Sequence, residues 1–182
     1  MTRAIFFILV LSISISGCKS PEARRPISQK SGSFIKISAE RNKKLNAIES
    51  EQIQNIIKKD TSKTYFASES GFWYYYNTKI EKDTITPSFG DIVNFDYDVK
   101  DINGNAIYSD DDIHPRDYAM DQEEIFTGLR EGLKLMKPGE TVTFLFPSQK
   151  AYGYYGDKNK IGTNTPVICE VTVNSIIQNQ ND

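Results

Sequence analysis

Residues 125–153 read IFTGLREGLKLMKPGETVTFLFPSQKAYG, and the order of signals in this stretch decides the architecture. Its pattern predicts a short helix over Glu124 to Leu133, which Pro138-Gly139-Glu140 stops with a turn. Thr141 to Pro147 then alternates as a strand does, with Val142, Phe144 and Phe146 on one side. After Ala151-Tyr152-Gly153 comes a polar, glycine-containing loop to Thr165. Forward of it, Val167, Cys169, Val171 and Val173 mark a long last strand. Upstream, Ile92 to Val99 alternates, with Val93, Phe95, Tyr97 and Val99 on one face. Asn103-Gly104 is a hairpin signal, because both residues accept positive φ, and Ile107 and Tyr108 begin the return strand. Pro87 to Asp91 is a turn. Phe72 to Thr78, an aromatic run dense in strand formers, adds a further strand. The aromatic run could also serve as a carbohydrate platform, but alternating burial in a strand is the expectation. The sum is an α+β domain in which an antiparallel sheet wraps around one short helix.

Outside that domain the chain changes character. Arg3 precedes an apolar stretch, Ala4 to Ile15, that is too short to span a membrane and reads as an export signal. It ends in Ile15-Ser16-Gly17-Cys18, which resembles the bacterial lipobox. Residues 1–17 are therefore expected to be a signal peptide, with Cys18 lipidated and holding the protein to a lipid bilayer. After processing, Cys169 is the one thiol left, so no intrachain disulfide is expected. Pro21, Pro26 and Gly32 make 18–37 a flexible tether. Ser38 is a plausible N-cap for a helix over 38–60, in which Leu45, Ile48, Ile53, Ile56 and Ile57 share a narrow stripe. That stripe could pack on the domain, a second copy or a partner, and docking on its own domain is the default. The β-rich domain is placed at 70–178.

The 22 basic and 24 acidic residues are unevenly spread. Lys19 to Lys59 carries ten basic and four acidic residues, net +6, whereas Asp91 to Glu124 carries eleven acidic and two basic, net −9. Both read first as solvated faces, and neither suits nucleic acid. His114, the one histidine, has no serine or cysteine arrangement around it, so no catalytic triad is supported. Asp110-Asp111-Asp112 and Asp96-Tyr97-Asp98 lack the spaced ligands of a calcium loop, so no metal is expected. No glycine loop for phosphate is present, and no cofactor is implied.

The order and spacing of these pieces resemble the FKBP-type prolyl isomerases over about residues 70–177. The strongest part is Gly128-x-x-x-Gly132-x-x-x-Met136-x-x-Gly139, followed by Phe146-Pro147 and Ala151-Tyr152-Gly153. The phrase Gly71-Phe72-Trp73-Tyr74-Tyr75-Tyr76-Asn77, the lipobox and the basic helical extension are similar to the gliding-motility-associated lipoproteins of that family (GldI type). The resemblance implies a peptidyl-prolyl cis-trans isomerase whose catalytic residues are Tyr152, Phe126 and Tyr97. Tyr152 would donate its hydroxyl, and Phe126 its backbone N–H, to substrate carbonyls. Ile107, Tyr108, Tyr118, Ile125, Leu129, Ile161 and Cys169 would contact the peptide. It implies proline-containing segments of exported proteins as partners, with gliding machinery components beside them, on the periplasmic face of the outer membrane.

Several positions depart from the family pattern. Leu129 stands where a tryptophan usually floors the cleft, and Cys169 where a phenylalanine is usual. Val99 replaces a glycine, and Ile107-Tyr108 replaces a Phe-Asp pair whose Asp organises a tyrosine. These changes predict weak or altered turnover and poor binding of macrolide inhibitors. A non-catalytic scaffold or chaperone is the alternative. A carbohydrate-binding lipoprotein, resting on the tyrosine count alone, stands third.

Overall fold

The computed structural model describes residues 31–82, 85–113 and 115–179, with the side chains of 31–33, 110 and 111 not described. The signal, the lipobox, Cys18 and His114 lie outside them. From Ala39 onward the described chain forms one compact unit.

The first helix, α1, runs Ser31–Lys59. It therefore begins seven residues before Ser38, which lies inside it rather than capping it, and the expected tether gives way to helix from Ser31. No proline follows Pro26 until well past the helix, and the serines and Gly32 cost only about 1 kcal/mol each or less, too little to stop propagation. The buried stripe also differs by one position. Glu49 and Ile53 are buried, with Leu45, Ile56 and Ile57 half-buried, while Ile48 is exposed. Spacings of four, four and three residues carry 45, 49, 53 and 56 along one face; Ile48 is rotated about 100° off it.

From Phe66 the chain is a sheet. Its strands are β1 (Phe66–Ala67), β2 (Trp73–Thr78), β3 (Ile92–Tyr97), β4 (Val99–Asp101), β5 (Ala106–Tyr108), β6 (Arg116–Ala119), β7 (Thr141–Phe146) and β8 (Val167–Ile177). A single turn, α2 (Asp110–Ile113), precedes β6, and α3 (Thr127–Leu133) lies between β6 and β7. The spatial order is β1-β2-β7-β8-β3-β6, every pairing described is antiparallel, and β4 joins β5 to β8. The long β8 is thus the spine, opposing Phe144 through Cys169 and Tyr97 through Val171.

Alternation decides which face is core. Val93, Phe95, Tyr97 and Val99 point inward with Val167, Cys169, Val171 and Val173, and meet Val142, Phe144 and Phe146. The polar partners on the other face bind one another: Asn174 donates to Asn94 and Asp96, and Asn77 donates to Thr143 and Glu170. In the Asn103-Gly104 hairpin only Gly104 takes positive φ, 88°. Asp101 accepts from the amides of Asn103 and Asn105, which holds the turn without strain at Asn103.

The helix α3 closes the core. A Cβ at Gly128 would lie 2.5 Å from the Phe146 ring and 2.6 Å from the Lys150 carbonyl, and one at Gly132 would lie 3.0 Å from Phe144. The Gly-x-x-x-Gly spacing therefore lets α3 lie flat on the β7 rings, as four residues place both glycines on one helix face. Leu129, Leu133 and Met136 fill the remaining volume with no exposed surface. The helix starts at Thr127, three residues later than expected, because Phe126 is extended (φ −63°, ψ 143°).

Candidate functional site

An open groove of about 460 Å³ runs along the start of α3, lined by Ile125, Phe126, Ala151 and Tyr152, with Glu123, Glu124, Arg130 and Gly156 at its rim. Two segments far apart in sequence make it. The extended Glu124–Phe126 segment forms one wall, and the turns after β7 form the other. Pro147 ends the strand, Ser148–Lys150 makes a 3₁₀ turn, and Tyr152 follows after Ala151.

The rings of Phe126 and Tyr152 meet with centroids 5.0 Å apart at 45°, and Phe126 stands edge-on to Phe146 at 5.4 Å. Phe146 is fully buried, so the groove floor continues into the core. Tyr97 is 9 % exposed and approaches from β3, packed on Phe95 at 5.5 Å. Burial raises the Tyr152 phenol above its ordinary value, and the nearby Tyr97 phenol, Cys169 thiol, Asp157 and Tyr108 add to it. Burial likewise raises Tyr97, followed by the neighbouring Cys169, although Arg116 acts against both. The two tyrosines, Cys169 and Tyr108 therefore form one electrostatic neighbourhood.

Two donors in this groove have no hydrogen-bond partner among the described residues. The Tyr152 hydroxyl makes no hydrogen bond to a described residue and is not sealed from solvent. The backbone N–H of Phe126 is likewise without a partner among the described residues, although the Phe126 carbonyl accepts from the Arg130 amide at 3.2 Å. Unpaired donors beside apolar walls are what a ligand carbonyl seeks.

The structure does not bring every expected contact to the surface. Leu129, Cys169 and Tyr118 have no exposed area at all. They pack in the core behind the groove and are not among its lining residues. Burial accordingly raises the Cys169 thiol well above its usual value. The Tyr118 hydroxyl donates to the Glu123 carbonyl at 3.2 Å, which fixes the turn leading into Phe126. Ile125 lines the groove, Ile107 is half-buried beside the same core, and Ile161 is almost fully buried.

Tyr108 takes a role that the sequence reading missed. Its hydroxyl donates to Asp157 at 2.5 Å and accepts from Asn159 Nδ2 at 2.9 Å, while Lys160 Nζ lies over its ring at 4.6 Å. Asp157 also accepts from the amides of Asn159 and Ile161, both at 2.8 Å. Burial alone would raise the Asp157 carboxyl, but the hydrogen bonds from Tyr108 and these amides outweigh it and hold it below the usual range. The loop after Tyr152 is thus latched to β5 by a hydroxyl–carboxylate pair. The carboxylate absent from β5 reappears on the loop, at a position that Asp157-Lys158-Asn159, an Asx-turn pattern, could have signalled.

The fold, a sheet wrapped around α3, is matched by solved structures. The chain is similar to the crystal structure of a peptidyl-prolyl cis-trans isomerase from Pseudomonas syringae pv. tomato, with 19 % identity, TM-score 0.60, and coverage of 75 % of this chain and 96 % of that one. It is also similar to FkpA from Escherichia coli, with 21 % identity, TM-score 0.60, and coverage of 96 % of this chain and 82 % of that one. No curated protein sequence matches it. Those structural likenesses speak for the fold; the sequence family speaks for the chemistry. Residues 83–174, half of the chain, match the model of one family, so the groove between α3 and the Tyr152 turn belongs to a member of the FKBP-type peptidyl-prolyl cis-trans isomerases.

Proposed function

We propose that this groove binds a proline-containing peptide and lowers the barrier to rotation about its X-Pro bond, with Tyr152, Phe126 and Tyr97 as the working residues. The observation that carries the reading is the pair of donors without a partner among the described residues, the Tyr152 hydroxyl and the Phe126 N–H, set among apolar side chains.

Rotation breaks amide resonance against a barrier of about 20 kcal/mol. It needs no nucleophile and no proton transfer. The twisted amide is less polar than the planar one, so an apolar wall of Ile125, Phe126 and Ala151 favours the twisted state. The Tyr152 hydroxyl and the Phe126 N–H hold two peptide carbonyls in a bent arrangement, which binds the transition state more tightly than either ground state. Tyr97, almost buried and outside the groove lining, acts as the neighbour of the Tyr152 phenol. Leu129 and Cys169, in place of larger aromatics, leave the core behind the groove less aromatic, and turnover is correspondingly modest.

The setting is proposed from sequence alone. The chain is an exported lipoprotein, attached through acylated Cys18 to the periplasmic face of the outer membrane, and serves the folding of exported proteins of a gliding apparatus. A protease-coupled assay with an Ala-Leu-Pro-Phe peptide tests the catalytic part. Acceleration by the folded protein is expected; its absence at native circular dichroism leaves the non-catalytic scaffold as the reading.

A further inference from the structure

We infer that Glu49 of α1 is a positioning residue that fixes the turn carrying Tyr152. The inference rests on the catalytic reading of Tyr152 given above and adds to it a control point in a different element.

Glu49 is 2 % exposed, although glutamate is rarely buried without a partner. Its partner is Ser148, also 2 % exposed, which donates its backbone N–H to Oε2 at 2.8 Å and its hydroxyl to Oε1 at 2.7 Å. Both carboxylate oxygens are thus committed to one residue, ninety-nine positions away in sequence. One helical turn earlier, Asn46 Nδ2 donates to Gln149 Oε1 at 3.0 Å. Docking α1 requires none of this. Ile53, one turn later, is fully buried and serves that purpose with an apolar side chain. A buried carboxylate is a poor choice for stability alone, because desolvation works against it; what it adds is direction, since two charge-assisted bonds fix the donor residue in orientation as well as position.

Ser148 opens the 3₁₀ turn Ser148–Lys150, and its own carbonyl accepts from Ala151 N at 3.0 Å. Tyr152 is the next residue. On the other side of the turn, the Lys150 carbonyl lies so close to α3 that only glycine fits at 128. The turn is therefore gripped between α1 and α3, and the grip ends one peptide before the tyrosine. A small displacement of Ser148 moves the Tyr152 hydroxyl relative to the Phe126 N–H, and donor geometry of that kind governs catalysis more than binding.

The test uses the full chain as wild type, Glu49→Gln, Ser148→Ala, Tyr152→Phe and the Glu49→Gln/Tyr152→Phe double variant. Glu49→Gln keeps shape and one acceptor, so the fold persists. Hydrogen exchange over residues 148–153 is expected to speed up about tenfold in Glu49→Gln and in Ser148→Ala, with residues 167–173 unchanged. In the isomerase assay, kcat is expected to fall about tenfold in Glu49→Gln with KM within about twofold, and the same substitution added to Tyr152→Phe should cost less than about twofold further. Unchanged exchange over 148–153, or losses that simply multiply in the double variant, would overturn the inference. If the wild type itself shows no turnover, the catalytic reading fails, and the exchange arm alone then decides whether Glu49 holds the turn.

Discussion

At the scale of single residues, the hydroxyl of Tyr152 makes the sharpest prediction. Removing it in Tyr152→Phe leaves the ring and its 5.0 Å contact with Phe126 in place. One lost hydrogen bond of about 1–1.5 kcal/mol corresponds to a fall of roughly tenfold in kcat/KM, with thermal stability unchanged. Charge placed in the groove by Phe126→Asp should abolish turnover, because the wall then favours the polar planar amide. The same tyrosine fixes the pH dependence. Its phenol is raised above an ordinary value near 10, so the donor proton stays bound through neutral and mildly alkaline pH. Asp157 is lowered, so it remains ionised, and the stability it contributes is lost only as pH falls through its depressed folded value, below ~3.9. Turnover is therefore expected to be flat between about pH 6 and 9; a break inside that window, in a kcat/KM profile, would show a titrating group that this mechanism does not contain. Tyr108→Phe tests the latch. It leaves Asp157 without its hydroxyl donor, and an NMR titration should find that carboxyl closer to ~3.9, with faster exchange over residues 156–161.

At the scale of elements, Gly128→Ala sets two effects of known sign against each other. Helix propensity favours alanine by about 1 kcal/mol. The added Cβ would meet the Phe146 ring at 2.5 Å and the Lys150 carbonyl at 2.6 Å, and overpacking of this kind costs ~1–3 kcal/mol. Backbone on one side and a fully buried ring on the other leave little room to relax, so packing wins. The expected result is a Tm lower by roughly 3–10 °C in a thermal melt, together with reduced turnover from a displaced Tyr152 turn. The same elements show how much the sequence disclosed. Periodicity placed β3, β7 and β8 and their inward faces, because a half-buried antiparallel strand writes its burial directly as alternation. Gly-x-x-x-Gly entered the sequence reading only as part of the family resemblance, and the close approach of α3 to β7 behind it came from the structure. Harder to read were α1 and the loop after Tyr152. The start of α1 carries no breaker to mark it, and its buried stripe includes Glu49, which a hydrophobic pattern passes over in favour of Ile48. Tyr108 and Asp157 lie forty-nine residues apart, and only the fold brings them together. Sealing of Leu129, Tyr118 and Cys169 was illegible for a related reason: alternation says which side of a sheet a residue faces, not whether the ground in front of it is already filled.

At the scale of the whole molecule, the catalytic groove and the proposed membrane attachment are separable by construction. On the proposed mechanism, rotation of an X-Pro bond draws on the walls and donors of the groove, supplied within Tyr97 to Gly156. Attachment, on the proposed reading, draws on Cys18 alone. No helix among the described residues is long and apolar enough to cross a membrane. Acyl chains contribute about 0.8 kcal/mol per buried methylene, so one chain binds reversibly and several on one cysteine hold firmly. On the same proposed reading, the basic residues between Lys19 and Lys59 would add attraction to anionic headgroups, but this is screened within roughly 10 Å at 0.1 M salt and is too weak to replace the lipid. Cys18→Ser is therefore expected to move the protein from the detergent-extracted membrane fraction to the soluble fraction while leaving kcat/KM per molecule unchanged. Retention of the variant in washed membranes would reject Cys18 as the anchor. A loss of turnover in the released protein would show that the groove depends on the membrane, which nothing in its geometry requires.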